Sequence, residues 1–278
     1  MRDAPPCGSK RTTKSRHNAR VAPLVFVCSL FGLLVGSFLN VVIARVPEGR
    51  SVVHPPSACP RCAHQLSWYE NVPVFSWLAL RARCRSCDLP ISPIYPTIEL
   101  LTAVLFALIA WRVGLTAPLP AALWFVAASV ALAAIDVSTR RLPNAIVFPT
   151  QEAVTGMLIL GAFVRGEPHR VLTVLAGAAA AAGFLWFLRR LVPKGMGMGD
   201  VKYAVAIGAM LGWYGLGRVA LGIFAGFVIG SVVGVTQAAI TRKLRRATIP
   251  FGPSLAAGAI VALLAGGPLI DWYRGVGR

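Results

Sequence analysis

Apolar runs long enough, or nearly long enough, to cross a bilayer recur eight times along this chain. They cover roughly residues 24–46, 96–115, 119–136, 142–164, 171–192, 200–215, 218–240 and 249–270, and the sixth is the shortest. Few folds accept such a pattern. Hydrophobic residues make up 56% of the 278 positions and charged residues 14%, against about 25% charged in an ordinary soluble protein. A soluble globule could not hide that much apolar surface, and a disordered chain would not carry it. The expected fold is all-α and polytopic, with about eight transmembrane helices.

The spans divide the chain into a basic polar tail (1–23), a first transmembrane helix (24–46), a polar insertion (47–93) and a larger membrane domain (94–278). The tail shows no structural pattern. The first span is long for a signal-peptide core and lacks a clear small-residue cleavage site, so it reads as a retained helix.

The net charge is +18, from 28 Lys and Arg against 10 Asp and Glu. Nucleic-acid binding does not fit, because the basic residues form short clusters between apolar spans. Such clusters hold loops on the cytoplasmic side and meet anionic membrane lipid. With the insertion inside, the inner loops carry Arg45, Arg50, Arg61, Arg81, Arg83, Arg85, Arg140, Arg141, Arg189, Arg190, Lys194 and the basic run at 242–246. The outer loops carry only Arg112, Arg165, Arg170, Arg218, Arg274 and Arg278. The basic tail dissents, since this orientation places it outside.

The insertion contains Cys59-Pro60-Arg61-Cys62 and Cys84-Arg85-Ser86-Cys87, with twenty-one residues between Cys62 and Cys84. Two such pairs at this spacing suit a four-thiolate zinc site, and two disulfides are disfavoured in a reducing cytoplasmic loop. Four thiolates close the coordination sphere, so the zinc would be structural. Cys28 reads as packing, Cys7 is uninformative, and His64 reads as a surface side chain.

Acids inside apolar spans are costly and ask for a function. Asp136 closes the third span, and Asp200 opens the sixth behind Gly195-Met196-Gly197-Met198-Gly199. Alternating crossings bring both to the cytoplasmic face at similar depth. Singly, each could be a helix-terminal residue, Asp200 at a helix N-terminus and Asp136 beside Arg140. Together they suit a shared-proton pair that activates water for peptide hydrolysis. The histidines (17, 54, 64 and 169) lie outside the spans, so no serine–histidine or histidine–metal arrangement competes. A transporter would place its acids nearer the midplane, and a non-enzymatic assembly scaffold would not need the pair.

Several motifs then carry a resemblance: Gly36-Ser37-Phe38-Leu39-Asn40, the two cysteine knuckles, Glu70-Asn71-Val72-Pro73, Tyr95-Pro96 and Glu99-Leu100-Leu101. Asp136 with Leu142-Pro143-Asn144, Gly197-Met198-Gly199-Asp200-Val201-Lys202 and Ile249-Pro250-Phe251-Gly252-Pro253 follow. In that order, over roughly residues 30–256, they resemble the bacterial type 4 prepilin leader peptidases, membrane aspartic peptidases of the inner membrane. The resemblance implies cleavage of basic leaders from prepilins or type II secretion pseudopilins at the cytoplasmic face. It also implies N-methylation of the new terminus with S-adenosylmethionine; a peptidase without methyl transfer is the alternative.

By the same resemblance Asp136 and Asp200 are catalytic, Gly197, Gly199 and Lys202 support the catalytic loop, and Cys59, Cys62, Cys84 and Cys87 hold the metal. Glu70 is a candidate for holding the cofactor's amino group or accepting the ammonium proton, against a plain solvated carboxylate. Ala82 stands where many relatives have glycine, and its methyl group would resist positive φ. Gly222, Gly226, Gly230 and Gly234, with Gly208 and Gly212, form stripes for packing within the chain or, as the lesser option, against a second copy.

Overall fold

The computed structural model describes residues 9–193, 196–241 and 250–276. Its helices are α1 (Ser9–Arg45), α2 (Phe75–Ala79), α3 (Ile94–Val113), α4 (Leu119–Thr139), α5 (Asn144–Val164), α6 (His169–Leu191), α7 (Met198–Gly212), α8 (Leu216–Thr241) and α9 (Gly252–Val276). No strand occurs among the described residues, only two isolated antiparallel bridges inside the insertion.

The eight expected spans all fold as helices, in order. Seven of them are long and apolar enough to cross a membrane. Prolines set several boundaries: Pro93, Pro118, Pro143 and Pro168 each stand just before α3, α4, α5 and α6. A proline there loses no helical hydrogen bond, because the first N–H groups of a helix have no internal partner.

Two expectations need correction. The tail does not lack structure throughout, because α1 runs back to Ser9, so the tail–helix boundary at residue 23 falls inside a helix. The other concerns the sixth span, which is only the fifteen-residue α7. At 1.5 Å per residue it is about 22 Å long, short of the roughly 30 Å hydrocarbon core. It needs no lipid face. Val201, Tyr203, Ala204 and Ala206 through Gly212 are all buried, so α7 is enclosed by its neighbours. Inside that core the Tyr203 hydroxyl and Ser129 Oγ are 2.6 Å apart.

Small residues let the helices meet at backbone distance, which supplies packing where lipid removes the hydrophobic drive between helices. A Cβ at Gly177 of α6 would lie 2.4 Å from the Gly208 carbonyl of α7. One at Gly258 of α9 would lie 2.3 Å from the Gly226 nitrogen of α8. Gly208, Gly212, Gly222 and Gly226 therefore pack inside the chain. A Cβ at Gly36 of α1 would likewise lie 2.6 Å from the Glu99 Cα of α3. Cys28 is buried as packing. Cys7, Lys194, Gly195, Arg242, Lys243, Arg245, Arg246 and Ile249 lie outside the described residues.

Candidate active site and metal centre

Asp136 sits in the last turn of α4 and Asp200 in the first turn of α7, and both are buried. They stand 64 positions apart in the sequence. The fold closes that gap through Leu142 and Gly252. Gly252, which opens α9, donates its N–H to Asp136 Oδ2 at 3.0 Å. A Cβ there would lie 2.8 Å from that oxygen and 3.2 Å from the Leu142 side chain. Leu142 also bears on Gly199, where an added Cβ would meet Leu142 Cβ at 2.9 Å. Asp200 is within electrostatic reach of Asp136.

Asp200 Oδ2 accepts the Gly197 N–H at 3.0 Å, so the helix-start role and the pairing role coexist in one side chain. Each aspartate thus spends one oxygen on a backbone donor that fixes its orientation. Lys202 does not reach toward the acids. Its Nζ donates to Asn144 Oδ1 at 3.1 Å and lies 5.0 Å from the centre of the Phe148 ring, and Gln151 donates to its carbonyl. It ties the start of α7 to the start of α5. Gly252 belongs to the Ile249–Pro253 motif of the sequence, but its contact with Asp136 is visible only in the fold.

The four knuckle cysteines converge, with all four sulfurs within 4.8 Å of one another. Cys59 and Cys87 sulfurs are 4.0 Å apart, and those of Cys62 and Cys84 are 3.9 Å apart. Tetrahedral zinc with bonds near 2.3 Å needs sulfur separations of about 3.8 Å, whereas a disulfide needs about 2.05 Å. The donor set fits zinc. The two knuckles repeat the same hydrogen bonds: Cys59 N–H to His64 O and Ala63 N–H to Cys59 O, then Cys84 N–H to Leu89 O and Asp88 N–H to Cys84 O.

Backbone N–H groups of Cys62 and Arg61 bring the Cys59 thiol down to about 7. For Cys87 the Leu89 N–H is outweighed by burial and the other three sulfurs, which push it up to about 12. Four such thiols cannot all ionise without a cation among them.

Glu70 is not a solvated surface carboxylate. It is 7% exposed and caps the short helix Trp68–Asn71, with Oε2 accepting the Ser67 N–H at 2.8 Å. That N–H, with His64 and Arg85 nearby, holds its carboxyl below the usual range against the opposing effect of burial. His64 faces Glu70 at 3.5 Å, outside the cysteine cluster. Its side chain is 38% exposed.

A further buried acid, Glu99 of α3, joins the membrane domain to the insertion. Its Oε2 accepts the Val74 N–H at 2.7 Å, and the Ser37 side chain of α1 lies close to it. Val74 is held at φ 61°, a strained value for a β-branched residue. Beside this junction, α1 and the insertion enclose a cavity of about 300 Å³ lined by Ser37, Phe38, Arg45, Val53, Asn71 and Pro73. Glu99 belongs to the Glu99-Leu100-Leu101 motif of the sequence and, like the two aspartates, is an acid in an apolar span.

Comparison with known proteins adds a family. Residues 30–113 match the bacterial peptidase A24 N-terminal domain, and residues 123–235 match the type IV leader peptidase family. A protein of Aeromonas hydrophila named prepilin leader peptidase/N-methyltransferase is 36% identical over 269 residues, covering 88% of this chain and 91% of that protein. A Pseudomonas aeruginosa protein of the same name is 36% identical over 283 residues, covering 90% and 94%. One of the same name from Myxococcus xanthus is 46% identical over 231 residues, covering 79% of this chain and 65% of that protein. No solved structure matches.

Proposed function

From the type IV leader peptidase family, to which this multi-pass membrane chain belongs, we propose that it cleaves leader peptides from prepilin-like substrates and then methylates the new N-terminus. The observation that carries the peptidase reading is the meeting of Asp136, Asp200, Leu142 and Gly252 at one end of the bundle.

Two neighbouring carboxyls hold one proton between them. The ionised one takes a proton from water as its oxygen attacks the scissile carbonyl, and the protonated one donates to the carbonyl oxygen. Collapse of the tetrahedral adduct breaks the C–N bond, and the leaving amine takes a proton. Backbone N–H groups of Gly252 and Gly197 aim the two carboxylates, so little reorganisation is needed. The expected face is cytoplasmic and the membrane the inner one, from the clustering of basic loop residues beside the insertion.

Cys59, Cys62, Cys84 and Cys87 would hold zinc, which supplies folding free energy to a segment too small for a core of its own. Methyl transfer belongs to the junction of α1 and the insertion. Its cavity lies within the usual size range of ligand sites and combines apolar walls with Ser37 and Asn71. A methyl donor of the sulfonium type is cationic, and Glu99 lies close to Ser37 of the cavity wall. When bound, such a donor would supply the methyl group; Ser37 and Asn71 would hold it at the cavity wall, and the carboxylate of Glu99 would offset its positive charge. Glu99 is favoured for this role over Glu70, whose Oε2 is engaged as a helix cap.

The test is incubation of the purified protein with a synthetic prepilin and S-adenosylmethionine, with mass spectrometry of the products. Cleavage that survives Asp136→Asn or Asp200→Asn would overturn the paired-acid reading.

A further inference from the structure

Four of the six arginines expected on the outer side converge on one place. Arg112 ends α3, Arg165 follows α5, Arg170 is in the first turn of α6, and Arg218 is in the first turn of α8. All four line a cavity of about 260 Å³ with Val113, Thr116, Pro118, Trp213, Tyr214 and Leu263. It lies at the opposite end of α7 from Asp200, since Trp213 follows the last residue of that helix. Arg112 and Arg218 are close neighbours, because a Cβ at Gly267 would lie 3.0 Å from one guanidinium and 3.1 Å from the other.

Two like charges held together in a membrane protein need an anion or a reason. The acids nearby do not balance them. Glu167 pairs with both Arg165 and Arg170, and Asp271 acts on Arg218 from α9. Asp271 is itself exposed. Aromatic rings position the guanidiniums, with Arg218 4.4 Å from the Tyr214 ring centre and Arg170 5.1 Å from that of Trp213. Backbone acceptors fix two more directions: Arg112 Nε donates to Leu264 O at 2.8 Å and Arg170 to Trp213 O at 3.0 Å. Each guanidinium carries five N–H donors, so most remain for a ligand. The Tyr214 hydroxyl is buried and has no hydrogen-bond partner among the described residues.

We propose that this cavity binds a phosphate group, delivered as the headgroup of an anionic phospholipid. Guanidinium forks match phosphate oxygens, and the Tyr214 hydroxyl supplies a further donor. The cavity is too small for a whole lipid. Exposed Leu115, Phe163, Val164 and Leu216 surround the same end of the bundle, where acyl chains would lie. On the cytoplasmic side of other membrane proteins, basic pockets between transmembrane helices hold such headgroups by the same charge pairing. Bound there, the phosphate bridges α3, α6 and α8, whose ends otherwise repel one another.

The test uses the purified full-length protein in neutral detergent, with native mass spectrometry and thermal melting as the readouts. Phosphatidylglycerol should be retained and should raise the melting temperature, while phosphatidylcholine should do neither. The double variant Arg112→Gln/Arg218→Gln should bind phosphatidylglycerol at least about tenfold more weakly. Arg274→Gln, exposed and outside the cavity, should bind as before. Should the double variant fail to fold, Arg218→Gln alone decides by the same titration. Inorganic phosphate stabilising as strongly as the lipid would keep the phosphate site and overturn the lipid as its occupant. Equal retention of phosphatidylcholine, or unchanged binding by the variants, would overturn the proposal.

Discussion

Gly252 decides where the Asp136 carboxylate can sit. Its N–H holds Oδ2, and an alanine methyl would stand 2.8 Å from the same oxygen. The carboxyl is the movable partner, so Gly252→Ala should push it aside without unfolding α9. A misplacement near 1 Å in an active site costs about a hundredfold in rate. We therefore expect cleavage to fall by about that factor with the melting temperature almost unchanged, read in a reconstituted assay beside a thermal scan. Asp136→Asn and Asp200→Asn keep an acceptor for the Gly252 and Gly197 N–H groups but cannot share a proton. Each should lose at least about a hundredfold in turnover and still insert. The two aspartates were legible in the sequence because acids in apolar spans are rare. Gly252 stands in a motif of the sequence, but its hold on Asp136 was not legible, since contact across 116 residues leaves no periodic trace. Glu99 carries the same signal as the aspartates, an acid in an apolar span, while Glu70 lies in the insertion and its carboxyl caps a helix.

The insertion is built from a local repeat. The bridges Ala58–Gln65 and Arg83–Pro90 each bracket a cysteine pair, and the residue after each second cysteine, Ala63 or Asp88, has positive φ. Spacing alone pointed to the cysteine cluster, whose four sulfurs converge within 4.8 Å. Chelation of the metal, or Cys84→Ser, should make residues 47–93 susceptible to protease while the membrane helices stay intact, followed by limited digestion and metal analysis. A purified protein with no zinc and two disulfides would sink this. Ala82 was expected to resist positive φ, yet it adopts φ 60°, pinned by its N–H to the Trp77 carbonyl and its own carbonyl to the Ile91 N–H. The methyl group is therefore carried as strain. Left-handed geometry costs an alanine about 1–2 kcal/mol, partly offset in glycine by its larger unfolded freedom. Ala82→Gly should stabilise the insertion by about 0.5–1 kcal/mol, seen as a higher chelator concentration at the midpoint of zinc release.

Alternating crossings give the whole molecule two different ends. One gathers the insertion, the end of α4 and the starts of α7 and α9; the other gathers the arginines. Alternation was legible from the apolar spans, but the enclosure of α7 was not, because a fully buried short helix and a lipid-facing one have similar composition. The first end therefore holds both the aspartates and the α1–insertion junction, and a freshly cut amine need not diffuse far to be methylated. Separate sites should be separable by mutation. Glu99→Gln keeps an acceptor for the Val74 N–H but removes the negative charge close to Ser37, while Asp136, Asp200 and Gly252 are left as they are. Cleavage should continue at nearly the normal rate, and methylation should fall by at least about tenfold, the scale of one lost charged hydrogen bond. Mass spectrometry of the mature product with S-adenosylmethionine present separates the outcomes. Product of the expected length but without the added methyl group supports the junction as the transfer site. Full methylation by Glu99→Gln would remove Glu99 from the reaction, and equal loss of both activities would mean that Glu99 braces the fold and does not serve methyl transfer.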